Sequence, residues 1–430
     1  MEIVNKEDLA RLEKSSVKDA FHRNINGSLS KNDLTNTKQI LRIMLKPYGD
    51  VLRYNEFSQQ IEIVSAQTFQ IGSFKIPIGA LNDDFISALV SYADSQFTYQ
   101  IKPDLAFAAI KDLAHAYSYN PLTDYLDFAF KDWDQKEHIN GFMHKYLGVE
   151  QTDFNVRMFT LWLVEAVTKA YQPDSQADYV LLLQGGQGVG KTTFFKTLAV
   201  NAEWYTDSFN DFKNKDNFAT MLGAWIVNDD EMTATKNSKI SETKKFITQT
   251  TLQFREPYER TPRTFTKNFV IGMTTNEPTP LKDRTGSRRY LVLKPNRNKR
   301  TKDITNPYKK TELQNEIKQL WGEAANLYRN GYQCFLSLEE EKQLASIQTD
   351  FTSTDDISET LEDKLSGSKS GKHYSIRQLL DMVLEDLNQT YFRSKERTSI
   401  RNEIAMIMES KEDWHSANTG NDHGYTKTSD

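Results

Sequence analysis

The chain has 430 residues, enough for two to four domains, and 38% hydrophobic against 26% charged residues, a balance that excludes a disordered or collagen-like chain. A net charge of -5 excludes a globally basic nucleic-acid coat, a single cysteine excludes an internal disulfide, and seven scattered histidines show no metal-ligand spacing. Mean hydropathy is -0.64, no apolar stretch approaches the ~20 residues a bilayer requires, and the first residues, with Glu2, Glu7 and Asp8, do not read as a secretory signal, so a cytoplasmic protein without a membrane partner is expected.

In chain order, residues 1–104 mix helical patterns with strand-like runs at Gln60 to Ser65 and Phe69 to Ile76, and predict a small N-terminal α+β region. Residues 105–175 predict helices, from Leu105 to Ala116 and from Phe154 to Ala170, by three- and four-residue apolar spacing. Residues 176–350 alternate strands (Tyr179 to Leu183, Ala224 to Val227, Phe269 to Met273, Tyr290 to Leu293) with loops and helices, and end in a helical tail from Lys310 to Ile347. That alternation predicts an α/β core: a mainly parallel sheet with helices on its faces. Residues 351–372, acidic and then Ser/Gly-rich, predict a flexible linker. Residues 373–430 predict a separate module with helical runs Ile376 to Leu387 and Ser394 to Met408, then Trp414-His415 and a short polar end. Lys395, Arg397 and Arg401 near the start of the second run fit the recognition helix of a winged-helix-like DNA-binding module.

Chemistry enters at Gly185-Gly186-Gln187-Gly188-Val189-Gly190-Lys191-Thr192, between an apolar strand and a helical run beginning at Thr193. Glycines let backbone N–H groups close around phosphate oxygens, a helix N-terminus adds partial positive charge, lysine reaches the outer phosphates and threonine offers its hydroxyl to Mg²⁺. ATP with Mg²⁺ is the expected ligand pair. The strand Ala224-Trp225-Ile226-Val227 then runs into Asn228-Asp229-Asp230-Glu231. Carboxylates at that strand end suit a metal ligand, Asp229 or Asp230, and a group that orients or deprotonates water, Glu231. A third strand ends in Thr274-Thr275-Asn276, placing an amide where a γ-phosphate would stand. Arg288 and Arg289 have the fixed charge and planar fork suited to reach a phosphate in a neighbouring subunit. Residues 251–310 carry 15 Lys and Arg against 5 Asp and Glu. Within them Arg255, Tyr258, Arg260, Arg263 and Lys267 suit a projecting hairpin that grips single-stranded nucleic acid.

The ordered set, joined by Asn120-Pro121-Leu122, Tyr125-Leu126, Trp133-Asp134, Tyr146-Leu147-Gly148, Pro257-Tyr258, Pro262-Arg263, Asp283 and Thr285-Gly286, resembles the virulence-associated protein E family of phages and mobile elements, grouped with superfamily 3 helicases of the AAA+ class. The resemblance spans residues 105 to 295, and the overall plan looks like the replication-initiator helicases of staphylococcal pathogenicity islands. It implies an ATP-driven 3'-to-5' DNA helicase working in a bacterial host as a homo-oligomeric, hexameric ring, with Lys191 and Thr192 on nucleotide and Mg²⁺, Asn276 as sensor, and Arg288 or Arg289 as a finger in trans. Single-stranded DNA and an origin duplex are the implied partners. In the family a Glu often stands where this chain has Asn228, so the roles of Asp229, Asp230 and Glu231 stay open. An origin-marking ATPase switch that does not unwind DNA is the alternative, and a protein remodeller is a further rival that the basic segment disfavours. Residues 1–110 lack the closely spaced acidic pair of a primer-synthesis site, and no such activity is expected.

Overall fold

The structure, a computed structural model, describes residues 21–254, 262–281, 287–306, 310–349, 351, 356–386, 394–419 and 422–428. The chain divides into two compact units, the first holding residues up to 278 and 285–347, the second 279–284 and 348–430.

In the first unit, helix α1 (Leu34–Leu45) precedes strands β1 (Leu52–Asn55), β2 (Gln60–Ile63), β3 (Phe69–Ile71), β4 (Phe74–Ile76) and β5 (Gly79–Ala80), then helices α2 (Asp83–Phe97) and α3 (Pro103–His115) and strand β6 (Ser118–Tyr119). The sheet order is β5-β2-β1-β6, with β3 and β4 forming a separate hairpin. Ala106, Ala109, Ile110, Leu113 and Ala114 put one face of α3 into the same core as Ile40, Leu41, Phe85 and Leu89. This subdomain therefore extends some fifteen residues beyond the expected boundary at 104, because α3 buries its stripe backwards onto α1 and β1 and β6 pairs with β1.

The layered core follows: α4 (Pro121–Asp132), α5 (Phe142–Leu147), α6 (Asp153–Tyr171), β7 (Val180–Gln184), α7 (Lys191–Leu198), β8 (Tyr205–Thr206), α8 (Lys215–Met221), β9 (Ile226–Asp229), α9 (Thr233–Asn237), α10 (Ile240–Thr248), β10 (Thr251–Phe254), β11 (Arg263–Thr266), β12 (Val270–Thr275), β13 (Tyr290–Leu293), α11 (Lys310–Arg329) and α12 (Leu338–Thr349). Five strands form a parallel sheet in the order β13-β7-β12-β9-β8. Leu181, Leu183, Ile226, Val270, Leu291 and Leu293 share one core cluster with side chains of α6, α7 and α11. Val180, Leu182, Val227, Ile271, Met273 and Val292, which alternate with them, are buried too, so both faces are covered and the strands read as unbroken apolar runs. Three tryptophans fasten the layers with indole N–H bonds of 2.9 Å: Trp162 to the Ile271 carbonyl, Trp225 to that of Ala166 and Trp321 to that of Leu198. Mid-strand Gly272 leaves room for the α7 ring of Phe195, which a Cβ there would meet at 2.6 Å.

The expected helical tail consists of two helices, α11 and α12. Gly331 takes φ +76 while its N–H donates to Tyr328 O and that of Tyr332 to Leu327 O, a closure that ends α11.

The second unit runs α13 (Asp356–Leu365), β14 (His373–Ser375), α14 (Ile376–Asp386), α15 (Ser394–Glu409), β15 (Trp414–Thr419) and β16 (Asp422–Lys427), with an antiparallel sheet in the order β14-β16-β15. Leu379, Val383, Ile404, Met408, Trp414 and Tyr425 build its core. Ile357, Leu361 and Leu365, four residues apart among acidic neighbours, place α13 in that core. Residues 356–365 are thus structural, contrary to the linker expected over 351–372. No helix among the described residues is long and apolar enough to cross a membrane.

Candidate active site

The glycine loop leaves β7 at the carboxyl edge of the sheet and enters α7 directly. Gly188 (φ +75) and Gly190 (φ +98) adopt the left-handed conformations that reverse the chain, and a Cβ on Gly190 would press on Ile304 Cγ2 at 2.8 Å. No side chain closes the N-terminus of α7, so this end of the helix faces the loop uncapped. The loop folds around the Lys191 amine, which donates to Gly185 O (2.7 Å), Gly186 O (3.0 Å) and Asn276 Oδ1 (2.7 Å). Burial pulls this lysine below its usual pKa, and the carboxylates of Glu231 and Asp230 work against that.

Strand order explains why residues 85 positions apart meet. β12 lies between β7 and β9, so its end presents Asn276 between the glycine loop and the acidic tip. The two aspartates of that tip point to different tasks. Asp230 Oδ1 accepts from Thr192 Oγ1 (2.7 Å) and Thr274 Oγ1 (2.7 Å), joining the acidic strand to the loop's threonine. Asp229 is turned away and 1% exposed: its oxygens accept from Ala234 N (2.8 Å), Thr235 N (2.9 Å) and Thr235 Oγ1 (2.7 Å). Burial raises the Asp229 pKa, and the Thr235 and Ala234 bonds partly restore it. Its lone pairs are thus committed to the start of α9, which departs from the expectation of a metal role for Asp229. Asp229→Ala should lower unfolding stability by about 1–3 kcal/mol through loss of these bonds, measured by chemical denaturation.

Beyond Asp230 the backbone makes a left-handed turn at Glu231 (φ 53) and Met232 (φ 50), a conformation that costs non-glycine residues of order 1 kcal/mol each. The turn brings Glu231 Oε1 within 2.8 Å of Asn276 Nδ2, while the Glu231 N–H donates to Thr274 Oγ1 at 3.1 Å. Lys191, Asn276 and Glu231 therefore form a continuous chain of hydrogen bonds. Thr274, which bonds both Asp230 and Glu231, was not singled out in the sequence. Its signal is a polar residue at a wholly buried strand position.

Arg288 is exposed and Arg289 half-buried in the turn preceding β13. Tyr290 pairs with Val180, at the beginning of β7, whereas the glycine loop follows that strand's end. The arginines thus stand at the opposite edge of the sheet, about 15 Å from the loop at ~3.3 Å per residue, and do not join this chain's own site. Arg255, Tyr258 and Arg260 lie outside the described residues, and Arg263 is described only as the backbone start of β11. β10 and β11 do form the stem of an antiparallel hairpin. Lys267 departs from the expected nucleic-acid face. It is 2% exposed, its amine donates to Phe246 O (3.0 Å) and Ile247 O (2.6 Å) at the end of α10, and burial pushes its pKa down to about 7. Among the described residues, no group of three or more His, Cys, Asp or Glu side chains is placed to hold a metal by itself.

The family model of the virulence-associated protein E-like domain matches residues 127–353, more than half of the chain. The chain belongs to that family. Its virulence-associated protein E-like domain contains the glycine loop, the acidic tip, Asn276 and both arginines. Apo structures of the C-terminal region of NrS-1, spanning its residues 305–718, are similar at 13% identity and a TM-score of 0.48, over 91% of this chain and 99% of theirs. A likeness at that level speaks to neither chemistry nor partners. No curated protein matches the sequence.

Proposed function

We propose that this virulence-associated protein E-like chain is a P-loop ATPase of the AAA+ superfamily 3 type, acting as a replicative DNA helicase of a phage or mobile element in its host's cytoplasm. The observation that carries the reading is the 2.7 Å bond from Thr192 to Asp230, which brings the loop's hydroxyl and one acidic-tip carboxylate to a single point. Thr192 and Asp230 would hold Mg²⁺, which would supply positive charge against the phosphates. Gly185 to Thr193 would wrap the phosphates of ATP, with the Lys191 amine turning from the loop carbonyls to phosphate oxygens. Glu231 would orient or deprotonate the attacking water, and the Asn276 amide would exchange its lysine bond for one to the outer phosphate. Asp229 serves this site by shaping the turn that follows it.

The position of Arg288 and Arg289 across the sheet supports their action in trans, as a homo-oligomeric, hexameric ring requires. The β10–β11 stem within the basic segment supports a hairpin that tracks single-stranded DNA, and the 3'-to-5' direction is what the family resemblance implies. The order helix, strand, two helices, hairpin in the second unit supports a winged-helix reading, with exposed Arg397 and Arg401 on α15 available to an origin duplex.

The test is ATP hydrolysis with and without single-stranded DNA, beside displacement of a labelled strand from a 3'-tailed duplex. Both activities should rise with DNA and vanish in Lys191→Ala. Turnover without displacement would favour an origin-marking switch. Mixing the double variant Arg288→Ala, Arg289→Ala with Lys191→Ala should restore part of the hydrolysis, because each supplies what the other lacks at a shared interface. Absence of recovery would count against the trans assignment.

A further inference from the structure

We propose that Arg297 contacts the nucleotide phosphates in cis, from a strap fixed over the glycine loop. The inference rests on the reading of that loop as a nucleotide site.

The strap is residues 295–305, which follow β13, the strand beside β7. Asn296 N donates to Leu147 O at 2.8 Å, and Thr301 N and Lys302 N both donate to Lys145 O, at 3.1 and 2.9 Å. The Lys302 amine pairs with Glu312 and, at 2.7 Å, with Glu316 on α11. Gly148, at φ +66, lets the strap approach this closely, since a Cβ there would collide with the Asn296 carbonyl oxygen. On the other side, Arg300 Nη1 donates to Val189 O of the glycine loop at 3.2 Å, and Ile304 packs on Gly190.

This frame accounts for one of the strap's two arginines and not for the other. Arg300 is occupied by Val189 and Asp303. Arg297 is exposed, and its Nη1 lies 3.8 Å from the position a Cβ on Gly188 would take. It makes no hydrogen bond or ion pair among the described residues. The nearby carboxylate of Asp303 is already engaged, one oxygen by Arg300 at 3.1 Å and the other by Thr305 N at 3.0 Å and Thr305 Oγ1 at 2.7 Å. An arginine with a free fork is thus held at the rim of a loop shaped for phosphate oxygens. Its charge and geometry match that ligand, and a rigid mount lowers the entropy lost on contact.

The experiment is binding of a fluorescent, non-hydrolysable ATP analogue to the full chain and to Arg297→Ala, Arg297→Lys and Lys191→Ala, with thermal unfolding as the folding control. Arg297→Ala should weaken binding about tenfold without lowering the melting temperature, and Arg297→Lys should recover part of the loss. Mixing Arg297→Ala with Lys191→Ala should restore no hydrolysis, because both lesions fall in the same subunit's site. Wild-type affinity in Arg297→Ala, with no binding by Lys191→Ala, overturns the role of Arg297 alone. Recovery on mixing overturns the cis placement. If the wild-type chain binds no analogue, the nucleotide reading and this inference fall together.

Discussion

Lys191→Ala should abolish measurable nucleotide binding, a loss of 100-fold or more in affinity, on the order of 3 kcal/mol, by calorimetry or fluorescence titration. Among the described residues the amine is the cation bonded inside the loop, and the nearby arginines do not occupy its place: Arg297 stands at the rim beside Gly188, Arg300 is engaged with the backbone of Val189, and Arg288 and Arg289 stand across the sheet. Lys191→Arg should fail as well, because a planar guanidinium is too broad to sit between the carbonyls of Gly185 and Gly186. Binding of ATP by Lys191→Ala at wild-type strength would remove the loop from the mechanism.

Glu231→Gln should bind ATP normally and turn it over about 10²- to 10⁴-fold more slowly, seen as a single-turnover rate. The substitution is geometrically mild. Glutamine can still accept the 2.8 Å bond from Asn276 Nδ2, so the turn and the sensor amide keep their places while the negative charge is lost. Asp230→Asn should differ in kind: with Thr192 and Thr274 deprived of a charged acceptor, the requirement for Mg²⁺ should rise along with the fall in rate. Normal hydrolysis in Glu231→Gln would move the base role to Asp230.

What could be read from the residues was whatever leaves a linear trace. A parallel strand buried on both faces is written as an unbroken apolar run, and β7, β9, β12 and β13 each fall within a residue or two of the expected positions. Spacing exposed the glycine loop, and strand ends exposed the acidic tip and Asn276. Asp229 and Asp230, by contrast, are equivalent in sequence, and only the left-handed turn at Glu231 and Met232 separates cap from candidate metal ligand. Lys267 sits among arginines and looks like one more surface cation, because nothing local signals that α10 ends with two carbonyls above it. Acidic neighbours hid the apolar stripe of α13. The strap over the loop has no periodicity at all, since its shape comes from bonds to Lys145, Leu147 and Val189, each more than 100 residues distant.

Only Lys267, Asn268 and Phe269 separate the hairpin stem from β12, and all three are buried. Lys267 is riveted to the last carbonyls of α10, its own N–H to Thr250 O (2.8 Å), and Asn268 Nδ2 to Phe57 O (2.6 Å) in the N-terminal subdomain. A slack connector would absorb a displacement, whereas this one is buried throughout and hydrogen-bonded at Lys267 and Asn268. A shift at the Asn276 end of β12, where lysine and glutamate are bridged, should therefore reach the hairpin as a tilt of its stem rather than as a rearrangement of a loop.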